Sequence, residues 1–383
     1  MEQTVIMNDW IKLSIPHLAG NENSYASDAI QSTWIVPLGP YVDRFENQLE
    51  EFLGVDDIVA LSSGTGAIHL GLAMLGVGKG DEVICQSFTF AASANPIVYL
   101  GATPVFVDSE SETWNMDPEL LEKAIKDRIS ITGKKPRAIV VVELYGMPAK
   151  LDEICRIAQE YDIPVLEDAA EALGSRFNGR YCGTWGEYGS LSFNGNKVIT
   201  TSGGGALICP DSKAAQRVKF LATQAREDRP YYYHEVTGYN YRLSNVCAAI
   251  GCAQMEDVQS RIDRRRAIHD LYVELFRDCD GIKVHCNPNG KFESNYWLTT
   301  IQLSNKTVIT PDELRQRLLD RHIETRLMWY PMHLQPVFKG MPFYGNGVSG
   351  RLFERGLCLP SSSCLSDSDV RKVADAIKLI IKE

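Results

Sequence analysis

Residues 190–208 read SLSFNGNKVITTSGGGALI and contain one lysine, Lys197, in a glycine-framed polar segment between two short apolar runs. No charged residue other than Lys197 lies between Glu187 and Asp211, whereas surface lysines usually stand among other charges on helices. A lysine partly shielded from water is a usable amine nucleophile towards a carbonyl carbon. Taken alone, the pattern favours a lysine in a solvated loop, because sequence is weak evidence for an activated amine. Other parts of the chain have to decide between these interpretations.

Length and composition limit the class of protein. The chain has 383 residues, which is longer than one typical domain and enough for a substantial core. Its hydrophobic fraction of 44% and charged fraction of 23% are ordinary for a globular protein. The net charge of -10 argues against a nucleic-acid partner and against an anionic membrane surface. It does not exclude local sites for anions.

The ten cysteines are scattered, and the closest pair, Cys247 and Cys252, lacks CxxC spacing. The sequence therefore predicts no metal site and no redox motif. Such thiols indicate a reducing cytoplasm, in which they act as small apolar groups. The first residues lack a signal-peptide pattern, and no apolar window approaches membrane-spanning length. We expect a soluble cytoplasmic protein.

Short apolar strands alternate with helices through the first part of the chain. The predicted strands cover residues 58–61, 82–85, 104–108, 138–142, 164–166 and 206–208. The predicted helices cover 22–32, 41–53, 68–75, 91–100, 151–161 and 214–223. This alternation is typical of an α/β fold whose mostly parallel sheet is buried on both faces. Ligands gather at the carboxyl ends of such strands, where Thr65, Phe90, Asp168 and Lys197 fall.

Two of these strand ends have plain alternative interpretations. The turn SSGTGA at residues 62–67 joins a strand to a helix and could direct backbone N–H groups at an anion. It is neither a P-loop nor a GxGxxG motif, and an ordinary tight turn fits as well. Asp168, in the segment EDAAEA, could instead be the N-cap of a following helix.

The sequence from residue 226 onward predicts a loop followed by a second domain. Residues 226–245 are dense in Arg, Tyr and Asn, which favours a functional or interface loop over a merely exposed one. The basic run at 261–266 is interpreted as a solvated helix face. Later strands at 297–303 and 324–328 and helices at 311–322 and from Ser366 indicate an α+β unit. The predicted organisation is an arm at 1–20, a large domain at 21–257 and a small domain at 258–383.

Four features together are the parts needed to bind pyridoxal 5'-phosphate (PLP): Lys197, Asp168, the Gly64–Gly66 turn and Phe90. The motifs occur in this order: Ser63-Gly64-Thr65, Glu167-Asp168-Ala169-Ala170, Ser192-Phe193-Asn194-Gly195-Asn196-Lys197 and Gly238-Tyr239-Asn240-Tyr241-Arg242. With them, nearly the whole chain resembles the PLP-dependent sugar-nucleotide aminotransferases. The resemblance implies PLP fold type I, like aspartate aminotransferase, with a mostly parallel seven-stranded sheet in the large domain and a smaller α+β C-terminal domain.

The resemblance also implies roles for individual residues. Lys197 would bond covalently to PLP, Asp168 would pair with the pyridine nitrogen, and Phe90 would stack on the ring. The phosphate would be held by Gly64, Thr65, Gly66 and Ser192. Asn240 would reach the cofactor of a neighbouring subunit, which makes a homodimer obligatory. Glu171 stands beside the cofactor where Gln or His is frequent in the family, so its role is open.

The implied reaction transfers an amino group from L-glutamate to a nucleotide-linked keto sugar. The motif versions most resemble enzymes that aminate C4 of UDP-4-keto-6-deoxy-N-acetylglucosamine, on the route to bacillosamine or legionaminic acid. Amination at C3, a dTDP- or GDP-linked acceptor, and a non-catalytic PLP-binding regulatory protein stay as alternatives. Relatives with histidine in place of the lysine are dehydratases, and Lys197 argues against that activity. The candidates for substrate contacts are Arg229, Arg242, His333, Trp329 and Tyr330, with core packing as the alternative for one of the last two.

Overall fold

A computed structural model describes residues 10–383. This range contains twelve α-helices: α1 (Glu22–Gln31), α2 (Pro40–Leu53), α3 (Gly64–Met74), α4 (Asn95–Tyr99), α5 (Pro118–Thr132), α6 (Leu151–Glu160), α7 (Ser212–Ala222), α8 (Asn245–Met255), α9 (Val258–Phe276), α10 (Pro311–Leu319), α11 (Val348–Arg355) and α12 (Asp367–Lys382). Residues 1–9 of the predicted N-terminal arm lie outside the described residues. The rest of that arm runs along the C-terminal part of the chain, where Ile11 bridges to Ile323.

The same range contains fifteen β-strands: β1 (Ile58–Leu61), β2 (Glu82–Gln86), β3 (Thr103–Val107), β4 (Ala138–Val142), β5 (Val165–Asp168), β6 (Arg176–Phe177), β7 (Arg180–Tyr181), β8 (Tyr188–Ser192), β9 (Gly205–Ile208), β10 (Ile282–Val284), β11 (Phe292–Glu293), β12 (Thr300–Leu303), β13 (Arg326–Leu327), β14 (Phe343–Tyr344) and β15 (Gly356–Cys358). No helix within residues 10–383 is both long and apolar enough to cross a membrane.

The large sheet has the strand order β1-β9-β8-β5-β4-β2-β3-β14. Only β9 runs against its neighbours, so the predicted mostly parallel sheet is confirmed. Seven of its strands come from the first part of the chain. The eighth strand, β14, has two residues and pairs in parallel with β3. It was not predicted, because no apolar run marks it in the sequence. Because β1, β2, β4, β5 and β8 run in the same direction, their carboxyl ends share one edge of the sheet.

The large sheet is buried on both faces, as the apolar runs predict. Alternate residues of β4 enter different clusters: Ile139 and Val141 pack in one core, Ala138 and Val140 in the other. The side chains of a strand alternate between the two faces of its sheet, so a strand with apolar cover on both sides reads as a continuous hydrophobic run. The sheet is therefore a rigid layer that can hold residues at its edge.

A second, antiparallel sheet has the order β10-β12-β15-β13 and packs with α9, α10 and α12. The predicted apolar face of the last helix is confirmed, since its members are all buried: Val370, Val373, Ile377 and Ile380. Two short strands of this part, β11 and β14, pair with strands of the first part. The domain boundary at 257/258 stays a prediction.

Two local predictions are wrong. The helix predicted at 91–100 is a 3-10 turn followed by α4, because Pro96 lacks an N–H and its ring would clash with the preceding turn of a continuous helix. The basic run on α9 is not a solvated face. Arg261 and Arg265 are only 3% and 1% exposed, because their four-residue spacing places them on one side of the helix, against the protein interior.

Candidate active site

A cavity of about 370 Å³ lies at the carboxyl ends of the parallel strands. The four residues that the sequence places at strand ends, Thr65, Phe90, Asp168 and Lys197, all line it. Thr65 belongs to the first turn of α3, Phe90 follows β2, Asp168 ends β5, and Lys197 lies between β8 and β9. The sheet therefore gathers into one site residues that are far apart in the chain.

Asp168 lies buried at this cavity. Its Oδ2 accepts a hydrogen bond from Ser93 Oγ at 2.5 Å, and its Oδ1 accepts from Ser190 Oγ and the Ala170 N–H, both at 3.3 Å. Burial raises the pKa of the Asp168 carboxyl, while the hydrogen bonds and the charge of Lys197 act in the opposite direction. The N-cap alternative is wrong, because turns and short strands follow Asp168 instead of a helix.

Lys197 is held inside the cavity and not in a solvated loop. Its side chain is 13% exposed, and Nζ lies 3.3 Å from Glu171 Oε1. The same Nζ lies 3.9 Å from the centroid of the Trp297 ring. An ammonium group over an aromatic face and beside a carboxylate is favourably placed by electrostatics. The amine is therefore fixed in position by two side chains.

Glu171 joins the Lys197 amine to a neighbouring loop. Its Oε2 accepts a hydrogen bond from the Tyr145 N–H at 2.7 Å. Burial raises the pKa of the Glu171 carboxyl, and the charge of Lys197 together with this N–H lowers it. Tyr145 has a φ of 55°, which is uncommon for a non-glycine residue and marks a strained site next to the cavity.

The far side of the cavity is the start of helix α3. Gly64, Thr65 and Ser192 line it, and the first N–H groups of a helix have no partner within the helix. A Cβ added at Gly64 would lie 3.0 Å from Ser192 Cβ, so the turn and the strand approach closely here. Gly66 is not among the lining residues, and its N–H is already used, since it donates to the capping Ser63 Oγ at 3.0 Å. This end of the cavity can bind an anion.

Residues 16–378 match the model of the DegT/DnrJ/EryC1/StrS aminotransferase family. The chain belongs to this family. The aminotransferase is 46% identical to EpsN of Bacillus subtilis (strain 168), whose name describes a pyridoxal phosphate-dependent aminotransferase, over 97% of this chain and 96% of that protein. It is 38% identical to a GDP-perosamine synthase of Escherichia coli O157:H7, over 96% of this chain and 98% of the synthase.

A solved structure of Streptococcus pneumoniae Spr1654, described as a sugar aminotransferase in its PLP form, matches with a TM-score of 0.89 and 26% identity. The match covers 97% of this chain and 99% of that one. The predicted fold, cofactor and enzyme class are thereby confirmed: this is a PLP-dependent sugar aminotransferase. The alternative of a non-catalytic regulatory protein is not supported by this family.

Several residues of the aminotransferase cavity escaped the sequence analysis. Trp297 and Arg326 line it from the C-terminal part of the chain, and Asn194 and Asn196 line it from the Lys197 loop. The two asparagines lie within the motif from Ser192 to Lys197, so their proximity to Lys197 was a usable signal. Trp297 and Arg326 had no such signal, because their approach depends on how the C-terminal part packs.

Of the predicted substrate residues, only Trp329 lines the cavity, where its ring lies 5.1 Å from that of Phe90. Tyr330 instead packs on Phe353. His333 lies outside the lining, with Nδ1 2.7 Å from Ser87 Oγ, and burial lowers its pKa. His333 is therefore poorly suited to be the predicted cation.

Three predicted residues lie away from this cavity. Arg242 has a structural role: its side chain is 8% exposed, and its Nη1 donates to Glu46 Oε1 at 2.7 Å and to the Ala60 carbonyl at 2.9 Å. Arg229 stands over the Tyr233 ring in the exposed segment. Asn240 is exposed and is not among the residues that line this cavity. Arg229 and Asn240 can act at a cofactor only if a second subunit approaches.

Proposed function

We propose that this aminotransferase moves the amino group of L-glutamate to the C4 keto carbon of a nucleotide-linked 6-deoxy sugar, with UDP-4-keto-6-deoxy-N-acetylglucosamine as the acceptor. The observation that carries the proposal is the Lys197 amine, held 3.3 Å from Glu171 Oε1 in a cavity lined by Asp168. The motifs from Asp168 to Glu171 and from Phe193 to Lys197 support this acceptor by their resemblance to C4 aminotransferases.

The cavity residues fit PLP. Asp168 would face the pyridine nitrogen, Lys197 would bond to the aldehyde carbon, and the N–H groups of Gly64 and Thr65 with Ser192 would hold the phosphate. Two buried atoms at the cavity, Asn196 Oδ1 and Trp329 Nε1, have no hydrogen-bond partner among the described residues. They leave an acceptor and a donor free for a polar ligand. When bound, PLP supplies an electron sink for the amino-group transfer.

Lys197 also provides the proton transfer. With PLP bound, its amine would act as the base that takes the proton from the Cα of glutamate, and then as the acid that returns it during the amino-group transfer. While the Lys197 amine carries the proton, Glu171 and the Trp297 ring stabilise its ammonium form. The acceptor half of the reaction uses the same residues in the reverse order.

Arg326 is the candidate for binding the anionic part of the substrates. Among the described residues that line the cavity, Lys197 and Arg326 are the positively charged ones. The Arg326 guanidinium lies 3.5 Å from Glu324 Oε1, and its side chain is 56% exposed, so this ion pair is weak. Arg326 is therefore available to a diphosphate or carboxylate, and it offsets the repulsion expected from a chain with a net charge of -10.

The proposal includes a homodimer in which Asn240 contributes to the partner's cofactor site. The segment before Asn240 exposes Tyr231 and Tyr232 by 60% and 81%, and Trp34 to Leu38 adds further exposed apolar side chains. Large exposed aromatic surface is typical of protein interfaces. Mixing inactive Lys197→Ala and Asn240→Ala protomers tests this. Random exchange should restore roughly a quarter of the wild-type activity, because each mixed dimer has one intact site.

A GDP-linked keto sugar is the second candidate acceptor. The observation in its favour is the 38% identity to GDP-perosamine synthase over 96% of this chain. Presenting UDP-, GDP- and dTDP-linked 4-keto sugars and locating the new C–N bond by NMR separates these acceptors, and it separates C4 from C3 amination. A product only from the GDP sugar would overturn the UDP assignment.

The donor half of the proposal is tested by the absorbance spectrum of the purified protein. L-Glutamate should convert the visible band of the bound cofactor into the pyridoxamine form, and Lys197→Ala should abolish that conversion. A bound cofactor whose spectrum ignores glutamate would contradict the choice of donor.

A further inference from the structure

The loop that carries Lys197 is held by side chains from the N-terminal arm and from the C-terminal part of the chain. The Asn196 carbonyl accepts hydrogen bonds from Trp297 Nε1 at 2.6 Å and from Ser14 Oγ at 2.8 Å. The Lys197 carbonyl accepts one from Arg265 Nη2 at 3.4 Å. Two consecutive carbonyl groups are thus bound by side chains that are distant in sequence, and the loop between β8 and β9 is not free to move on its own.

Arg265 is unusual for a buried charged residue. It is 1% exposed, and no carboxylate lies within ion-pair distance among the described residues. Its Nη1 donates to the Trp297 carbonyl at 2.7 Å and to the Ser361 carbonyl at 2.8 Å. Burial lowers the pKa of Arg265 to about 10. The planar guanidinium therefore ties backbone segments together, which a flexible lysine with one point charge cannot do equally well.

Trp297 binds the loop and the amine at once. Its Nε1 holds the Asn196 carbonyl, its ring face lies 3.9 Å from Lys197 Nζ, and its own carbonyl is held by Arg265. The backbone of the loop and the tip of the lysine side chain are therefore fixed by the same side chain. Movement of Trp297 would displace both.

We infer that Arg265 and Trp297 are positioning residues. They keep the Lys197 amine at the place that proton transfer requires. This inference rests on the proposed role of Lys197. Proton transfer needs the amine within hydrogen-bond distance of the reacting carbon, and a displacement of about 1 Å is enough to slow such a step strongly. The lysine loop contains Gly195 and is followed by Gly203 and Gly204, so its own backbone supplies little stiffness.

The test changes one side chain at a time. Trp297→Phe keeps an aromatic ring over Lys197 and removes the N–H group that donates to the Asn196 carbonyl. Arg265→Lys keeps a positive charge and removes the planar guanidinium group. Trp185→Phe is the matched control for the first, because Trp185 Nε1 has no partner among the described residues. Arg261→Lys is the control for the second, since Arg261 is buried on the same helix but binds the His17 carbonyl.

Three readouts are compared in these variants: the glutamate half-reaction, the visible circular dichroism per bound cofactor, and acetylation of Lys197 in the apoprotein, followed by mass spectrometry. Trp297→Phe should slow the half-reaction roughly five- to tenfold, with the glutamate KM changed less than about twofold. The dichroism should fall and the labelling of Lys197 should rise, because the amine is less fixed. Trp185→Phe and Arg261→Lys should leave all three unchanged.

A purely structural role gives another result. If Trp297→Phe and Arg265→Lys lower only the melting temperature and leave rate, dichroism and labelling as in the wild type, the inference is wrong. If Arg265→Lys does not fold, Trp297→Phe alone decides. Failure of the proposed function is recognised separately, because wild-type protein would then fail to react with glutamate whatever the state of the loop.

Discussion

Glu171 Oε1 lies 3.3 Å from the Lys197 amine while its Oε2 accepts the Tyr145 N–H, so one buried carboxylate joins the reactive lysine to a strained loop. A glutamine at this position keeps an oxygen acceptor for Tyr145 and removes the negative charge. The charge is therefore the feature that a substitution can isolate.

We expect Glu171→Gln to fold normally and to slow the glutamate half-reaction roughly tenfold at neutral pH, because a charge-assisted contact to the ammonium is lost. Burial raises the pKa of Glu171, so the wild-type rate should fall on the acid side at a pH above the usual carboxyl range. That acid limb should be absent in the glutamine variant. Stopped-flow absorbance from pH 5 to pH 9 measures both effects, and an unchanged acid limb would contradict the role of Glu171.

Glu143→Gln should stabilise the protein at alkaline pH. Within residues 10–383, both carboxyl oxygens of Glu143 are buried without a hydrogen-bond partner. The adjacent Glu167 instead accepts hydrogen bonds from the backbone N–H groups of Gly183, Trp185 and Gly186. Burial and the charge of Glu167 raise the pKa of Glu143 well above its usual value of 4.5. Burial also raises the pKa of Glu167, but the three backbone N–H groups act in the opposite direction, so Glu143 is the member of the pair that holds its proton more tightly.

A raised folded-state pKa means that the folded chain binds the proton more tightly than the unfolded chain. The free energy of unfolding therefore falls as the pH rises above about 4.5, and glutamine removes that loss. We expect Glu143→Gln to be more stable than the wild type by about 1–2 kcal/mol at pH 8 and nearly equal at pH 4.5, by urea denaturation. Glu167→Gln is the control and should destabilise the fold, because an amide replaces an oxygen acceptor of buried N–H groups.

Arg326→Gln should raise the KM of the nucleotide sugar about tenfold or more, with kcat changed much less, because the guanidinium binds the substrate and takes no part in proton transfer. Steady-state kinetics with both substrates shows whether the sugar or glutamate depends on it. Arg321→Gln is a matched control, since Arg321 lies on the surface 3.9 Å from Glu383 and away from the cavity. Equal KM values for wild type and Arg326→Gln would exclude Arg326 from substrate binding.

Gly64→Ala should weaken cofactor binding. The added methyl group would lie 3.0 Å from Ser192 Cβ and 3.3 Å from the Leu191 carbonyl, so the turn has to move away from the phosphate position. We expect the Kd of PLP to rise at least roughly tenfold, measured by fluorescence titration of the apoprotein. Gly195→Ala is the control, because a Cβ there meets no atom of the described part of the chain within 4 Å. Unchanged affinity in Gly64→Ala would place the phosphate elsewhere.

The amino-acid sequence alone was enough to predict the layered α/β fold and to place Asp168 and Lys197 at strand ends. Both rest on local information: an unbroken apolar run such as residues 138–142 can only be buried on both faces, and parallel strands end at one edge. The motif order around Thr65 and Lys197 then indicated PLP. Local information also gave the apolar face of the last helix.

The distant side chains that complete the site are identified by three-dimensional packing and not by local sequence. Trp297, Arg326 and Arg265 reach the lysine loop or cavity from the C-terminal part of the chain, and nothing in their own segments shows where that part packs. Contacts with Glu46 and the Ala60 carbonyl engage Arg242 away from the cavity. Packing around α9 makes Arg265 a buried residue instead of a solvated one. Helical spacing places a residue on one side of its helix, but burial depends on which element covers that side.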